Sequence, residues 1–204
     1  RNRIALEAHH SLGDGTGGMC VLQTLVAVYL RLLGHEEIEN GGFVLDIGRE
    51  PDPEELEDAY MRYANAKVRP PRPGEKTYRV RGTKEPFYTL NIIDGIMSVS
   101  QVMAVAKKYN ATITEYLNAV LLYALLTKQE KDWHLRLRPV KIAMPVNLRR
   151  FFPSKTLRNF ITMIYPGVDP RLGDYTFEEI VTQVHNYMRY YLNEKFLRGD
   201  ITTN

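Results

Sequence analysis

The chain has 204 residues, 44% hydrophobic and 25% charged, with a formal net charge of +3. That length allows one large domain or two small ones, and that composition excludes a long disordered or collagen-like chain. The charge is too small to mark a nucleic-acid binder, and a single cysteine, Cys20, excludes an internal disulfide and points to a reducing, cytoplasmic setting.

Arg3 to His10 alternates as a short strand does, with Ile4, Leu6, Ala8 and His10 on one face and Ala5, Glu7 and His9 on the other. Ser11 to Gly18 reads as a glycine-rich turn. A helix follows from Met19 to Leu33 and stops at Gly34; it is apolar nearly all round, which predicts deep burial. With Gln23, Thr24 and Arg31 inside it, the stretch is too short and too polar for a membrane span. Gly41 to Gly48 allows a brief strand, and Pro53 to Ala66 reads as an exposed helix, with Pro53 early and Glu54, Glu55 and Glu57 at its positive end.

Arg69-Pro-Pro-Arg-Pro-Gly74 is a stiff linker. Taking the linker as residues 69–86, it divides the chain into 1–68 and 87–204. Beyond it, Phe87 to Met97 has strand character, and Ser98 can cap a helix reaching Tyr109. Thr112 and Glu115 form a capping box for a helix over 115–128. Val140 to Val146 and Phe160 to Tyr165 are apolar strands, and a last helix spans Phe177 to Glu194. The alternation suggests an α/β or α+β layered fold. With no starting methionine and a strand already under way at its beginning, the chain reads as part of a longer protein.

The segment most informative about chemistry is His9-His10-Ser-Leu-Gly-Asp14-Gly15, which fits HHxxxDG at a strand-to-helix turn. At average composition such a match arises by chance in roughly one chain in a few thousand. A histidine at a strand end can present a ring nitrogen to a cleft, with a pKa suited to a general base. A buried carboxylate at Asp14 needs a cation or several hydrogen bonds. His9 and His10 make a poor zinc site, because adjacent strand residues face opposite ways and no Cys or His cluster completes a ligand set; no metal is expected. His35, His134 and His185 have no such context and read as surface residues.

This motif resembles that of the CoA-dependent acyltransferases with the chloramphenicol acetyltransferase-like fold. That superfamily includes plant acyltransferases, peptide-synthetase condensation domains, polyketide-associated acyltransferases and alcohol acetyltransferases. The resemblance implies that His10 is the general base, with His9 a structural neighbour, and that no acyl-enzyme forms. It implies that Asp14 is structural and pairs with an arginine of a distant strand. Ala143-Met-Pro-Val-Asn-Leu-Arg149 looks like that strand, so Arg149 is the candidate partner, with Arg150 the alternative. Leu157-Arg-Asn159-Phe160 looks like the family's short Gly-Asn segment, with Arg158 in place of the glycine. Gly15 is assigned the backbone turn and Asn159 the oxyanion donor.

The implied fold is a two-layer α/β sandwich of the chloramphenicol acetyltransferase type, with the chain spanning the middle of a two-lobed enzyme. The implied function is transfer of an acyl group, acetyl above all, to a hydroxyl or amine of a small molecule. The donor would be acyl-CoA or a carrier-protein thioester, with no permanently bound cofactor, no nucleic acid and no membrane span. Arg136, Arg138, Lys141, Arg149, Arg150, Lys155 and Arg158 form a basic run that reads mostly as solvated surface, part of which can meet CoA phosphates.

Two other readings stand beside it. Gly13, Gly15 and Gly18 also satisfy GxGxxG, as in a dinucleotide-binding oxidoreductase. Against that, the acidic residue expected about twenty positions on should end a second strand, whereas Glu36 to Glu39 follow directly on the helix. The other reading is a non-catalytic, condensation-like binding module.

Overall fold

The computed structural model describes residues 3–35, 37–64, 74–132 and 136–203. Of the described residues, 46% are helical and 7% in strands, so this is a mixed α and β chain whose sheets are short antiparallel ribbons. The helices are α1 (Gly15–Leu32), α2 (Pro53–Leu56), α3 (Ala59–Tyr63), α4 (Val99–Lys108), α5 (Ile113–Lys131), α6 (Phe177–Tyr191) and α7 (Glu194–Thr203). The strands are β1 (Val140–Lys141), β2 (Met144–Asn147), β3 (Ile161–Ile164) and β4 (Gly167–Val168). β1 pairs with β4, Val140 opposite Val168, and β2 pairs with β3.

The described residues group into two compact units. One takes them from Arg1–Pro71, Pro145–Thr162 and Glu194–Asn204, the other from Arg72–Met144 and Met163–Asn193. This differs from a simple division into 1–68 and 87–204, because 145–162 and 194–204 join the first unit. Long-range hydrogen bonds draw them there: Leu157 N–H donates to the Glu55 carbonyl at 2.9 Å, and the Thr156 hydroxyl to that of Glu57 at 2.7 Å. The first unit's core holds Leu148, Phe152, Phe160 and Leu197, all buried. The Tyr60 ring meets Phe160 edge-on at 5.4 Å, and α3 packs on α7.

In the second unit α5 packs against α6 and β1, and α6 against β4. Leu122, Ala119, Ile180, Val184 and Val140 are buried there. Tyr109, Tyr116 and Tyr123 surround Phe177. The Thr112–Glu115 capping box is present, and it starts α5 at Ile113. His185 is no isolated surface residue: its Nδ1 lies 2.9 Å from the buried Glu115 carboxylate. His35 is exposed beside Glu37, and His134 lies outside the described residues.

Several local expectations change. Arg3 to His10 is not a strand, and all its side chains are exposed. Phe87 to Met97 is not a strand either; Phe87 and Ile96 are 95% and 98% exposed, and Tyr88 takes φ 63°. A strand exists only through a neighbour's hydrogen bonds, and alternation in sequence does not supply one. The 41–48 stretch makes only the bridge between Gly41 and Val44. The 140–146 strand divides into β1 and β2.

The single helix expected from Pro53 breaks at Glu57, whose backbone turns extended and whose carbonyl takes the Thr156 bond; Asp58 then caps α3. Ala66 and the linker up to Pro73 lie outside the described residues. The last helix ends at Tyr191, and α7 begins at Glu194.

α1 begins at Gly15, four residues earlier than expected, and is not deeply buried. Gly17, Cys20, Thr24 and Ala27 form its covered face, while Leu25 is 50% and Leu32 82% exposed. Apolar composition permits burial; contact with other elements decides it. At 18 residues α1 is long and apolar enough, by length and composition, to cross a membrane, as many core helices are. Its first turn is instead bonded to a buried carboxylate within the first unit.

Candidate functional site

Residues 9–18 belong to the first unit, as do Asn147, Arg149 and 156–160, so the motif and its partners can be followed within one body. After His10 the chain turns, with Leu12 N–H donating to the His9 carbonyl at 3.0 Å. Asp14 then caps α1. Its Oδ1 accepts from the N–H groups of Thr16 at 3.0 Å and Gly17 at 3.1 Å, satisfying donors that a helix start leaves open. Its Oδ2 accepts from Arg149 Nη1 at 2.7 Å and from Phe160 N–H at 2.8 Å.

The Asp14 side chain is 1% exposed and that of Arg149 11%. Burial pushes the Asp14 carboxyl up, but the Arg149 guanidinium and the Phe160 and Gly17 N–H groups outweigh it and hold the carboxyl below its ordinary value.

Arg149 sits in the 3₁₀ turn Leu148–Arg150 that follows β2. The turn is capped by Asn147, whose Oδ1 accepts from Arg149 N–H at 3.1 Å. Beyond Asp14, the guanidinium donates to the Thr156 carbonyl through Nε and Nη2 and to the Arg158 carbonyl through Nη2 at 2.7 Å. A planar, forked donor suits such a set, and an ammonium would not reach all of it. Of the two arginines left open by the sequence, Arg149 is the partner; Arg150 is exposed. Asn147 Nδ2 also donates to Thr16 Oγ1 at 3.0 Å, a second tie to the start of α1.

Gly15 faces open space, so the turn does not need a glycine there. The glycines that close approach requires are Gly13 and Gly17. A Cβ at Gly17 would lie 2.1 Å from the Leu157 carbonyl oxygen, and one at Gly13 would lie 2.8 Å from it.

His10 is exposed, and its ring has no hydrogen-bond partner among the described residues. His9 Nδ1 lies 2.8 Å from Ser11 Oγ and accepts from Ser11 N–H at 3.3 Å, which ties its ring into the turn. Asn159 Nδ2 commits one of its two N–H groups to the His10 carbonyl at 2.8 Å. Its Oδ1 is buried and has no hydrogen-bond partner among the described residues. Asp14 makes no hydrogen bond to His10; all its bonds go to Arg149 and to backbone N–H groups.

The basic run does not act as one patch: Arg149 is buried in the ion pair, and Lys155 bonds Asp52 at 2.9 Å. Tyr187 and Tyr191 stack at 4.2 Å, and the Tyr187 hydroxyl accepts from Tyr165 N–H, which is packing. Among the described residues no group of three or more His, Cys, Asp or Glu side chains is placed to hold a metal. Burial raises the Cys20 thiol, which makes it a poor nucleophile.

Sequence reasoning missed Asn147 and Thr156. An asparagine ahead of a short turn is a capping signal and could have found the first. Thr156 acts through its backbone carbonyl, which leaves no trace in residue type. No protein-family model matches the chain, and comparison with curated proteins and with solved structures finds no match either.

Proposed function

We propose that the protein is an acyltransferase of the chloramphenicol acetyltransferase-like type, with His10 as general base and acyl-CoA as donor. The observation that carries this reading is the buried pair between Asp14 and Arg149. In the family that HHxxxDG resembles, the motif aspartate pairs with an arginine of a distant strand rather than with the histidine. Here Asp14 bonds an arginine just past β2 and leaves the histidine ring alone.

In the proposed reaction an unprotonated His10 ring nitrogen takes the proton from the acceptor hydroxyl or amine. The acceptor's lone pair attacks the thioester carbonyl, and the tetrahedral intermediate collapses with loss of the CoA thiolate. His10 returns its proton to that thiolate, so an ester or amide and free CoA thiol leave together. Asp14 keeps its proton count throughout and holds the loop that carries His10.

The dinucleotide reading fits the same residues less well. A bound pyrophosphate needs open N–H groups at the helix start and a backbone it can approach. At α1 the carboxylate of Asp14 already takes the Thr16 and Gly17 N–H groups, and Gly13 and Gly17 lie against the Leu157 carbonyl.

The test is thiol release from acetyl-CoA in the presence of alcohol and amine acceptors. His10→Ala should lower the rate by about a hundred- to ten-thousand-fold with folding unchanged. Equal rates would remove His10 from the mechanism. Calorimetry showing tight NAD binding and none of CoA would replace this reading with the dinucleotide one.

A further inference from the structure

We propose that Asn159 is the positioning residue for the His10 main chain, the link through which the Asp14–Arg149 pair fixes the backbone from which the imidazole projects. The proposal rests on the acyl-transfer reading only for its catalytic consequence; the positioning itself is a statement about His10.

The geometry is specific. The Arg158 carbonyl accepts from Arg149 Nη2 at 2.7 Å, and Phe160 N–H donates to Asp14 Oδ2 at 2.8 Å. These groups belong to the two peptide units that flank Asn159. Peptide units are planar, so holding both of them sets φ and ψ of the residue between. Only the side-chain torsions of Asn159 remain to aim its amide, and the amide bonds the His10 carbonyl at 2.8 Å. Among the described residues no other hydrogen bond reaches His10, whose side chain is exposed. The ion pair therefore reaches the histidine without touching it, by way of residues 158–160.

A second observation separates this role from simple structural support. Asn159 Oδ1 is buried and has no hydrogen-bond partner among the described residues. Buried polar atoms are nearly always satisfied by protein or water, so this amide oxygen adds no protein contact to the stability of the fold. Functional positions are where such a compromise is tolerated. Asn159 should thus be dispensable for folding and needed for the placement of His10.

The test compares wild type with Asn159→Leu, which removes the amide and its buried oxygen together. Histidine side-chain NMR, with the His10 signals identified by their loss in His10→Ala, reads what the main-chain anchor does to the ring. Asn159→Leu should shift or broaden the His10 signals, leave those of His185 in place, and keep or raise the melting temperature. It should lower kcat for thiol release from acetyl-CoA about 10- to 100-fold with KM for acetyl-CoA unchanged, the loss expected from a misplaced catalytic group. Asn159→Gln, which keeps the amide one methylene out of place, should restore part of kcat; if Asn159→Leu does not fold, the His10 signals of Asn159→Gln are read in the same way. Unmoved His10 signals would overturn the proposal. So would a lowered melting temperature with kcat intact. Moved His10 signals in a protein whose wild type transfers no acyl group would uphold the positioning and overturn the acyl-transfer reading instead.

Discussion

Asp14 and Arg149 stand 135 positions apart in the chain and meet at 2.7 Å with both side chains almost wholly out of water. Each also holds backbone: Asp14 the start of α1 and Phe160, Arg149 the carbonyls of Thr156 and Arg158. The pair thereby fastens three separate stretches of the first unit to one another.

Breaking the pair from either side should be costly. Asp14→Ala or Arg149→Ala strands the opposite charge, and each should lower unfolding free energy by about 3–5 kcal/mol. The double substitution should cost less than the two singles added together, because neither charge is then left unpaired. Denaturant unfolding of the three variants measures this, and strict additivity would show that the two residues do not interact.

Acid should act on the same pair. The folded-state pKa of Asp14 lies below its ordinary value. Below about pH 4 the unfolded chain takes up the proton first, so it binds more protons than the folded chain. The stabilisation is therefore fully present above that pH and is lost as pH falls through the folded value. Asp14→Asn cannot titrate, so its stability should fall less steeply than wild type over that window. Glu115 has a pKa lowered in the same way and is common to both proteins. Unfolding curves taken from pH 5 downward would show the difference in slope; parallel curves would contradict it.

The glycines of the motif should divide sharply. Gly17→Ala places a methyl 2.1 Å from the Leu157 carbonyl oxygen, whose peptide unit is held by the Arg158 N–H bond to the Thr156 hydroxyl. Such crowding costs about 1–3 kcal/mol or more. Gly18→Ala meets nothing within 4 Å and lies inside α1, where alanine is favoured over glycine by about 0.8–1 kcal/mol. Thermal melts should move in opposite directions for the two variants. A neutral Gly17→Ala would mean that α1 does not seat on the Leu157 backbone.

Where the sequence decided the structure by itself, the determinants lie within three or four residues of one another. Thr112 and Glu115 start α5 through two reciprocal bonds, and Asp14 starts α1 by accepting from Thr16 and Gly17. The HHxxxDG motif and the pairing of Asp14 with an arginine at 149 were legible too, the latter through the resemblance rather than through spacing. Tertiary structure alone decided burial and strands. Leu25 and Leu32 are as apolar as any core residue, yet they face outward because no described element covers that side of α1. Phe87 to Met97 is rich in aliphatic and aromatic residues and forms no ladder, because the hydrogen bonds of a strand come from a distant stretch of chain that local sequence does not name. The same reason hid Thr156 and Leu157. Their contributions come from main-chain carbonyls, which every residue carries, so only the folded path of the backbone could bring them to Arg149 and Gly17.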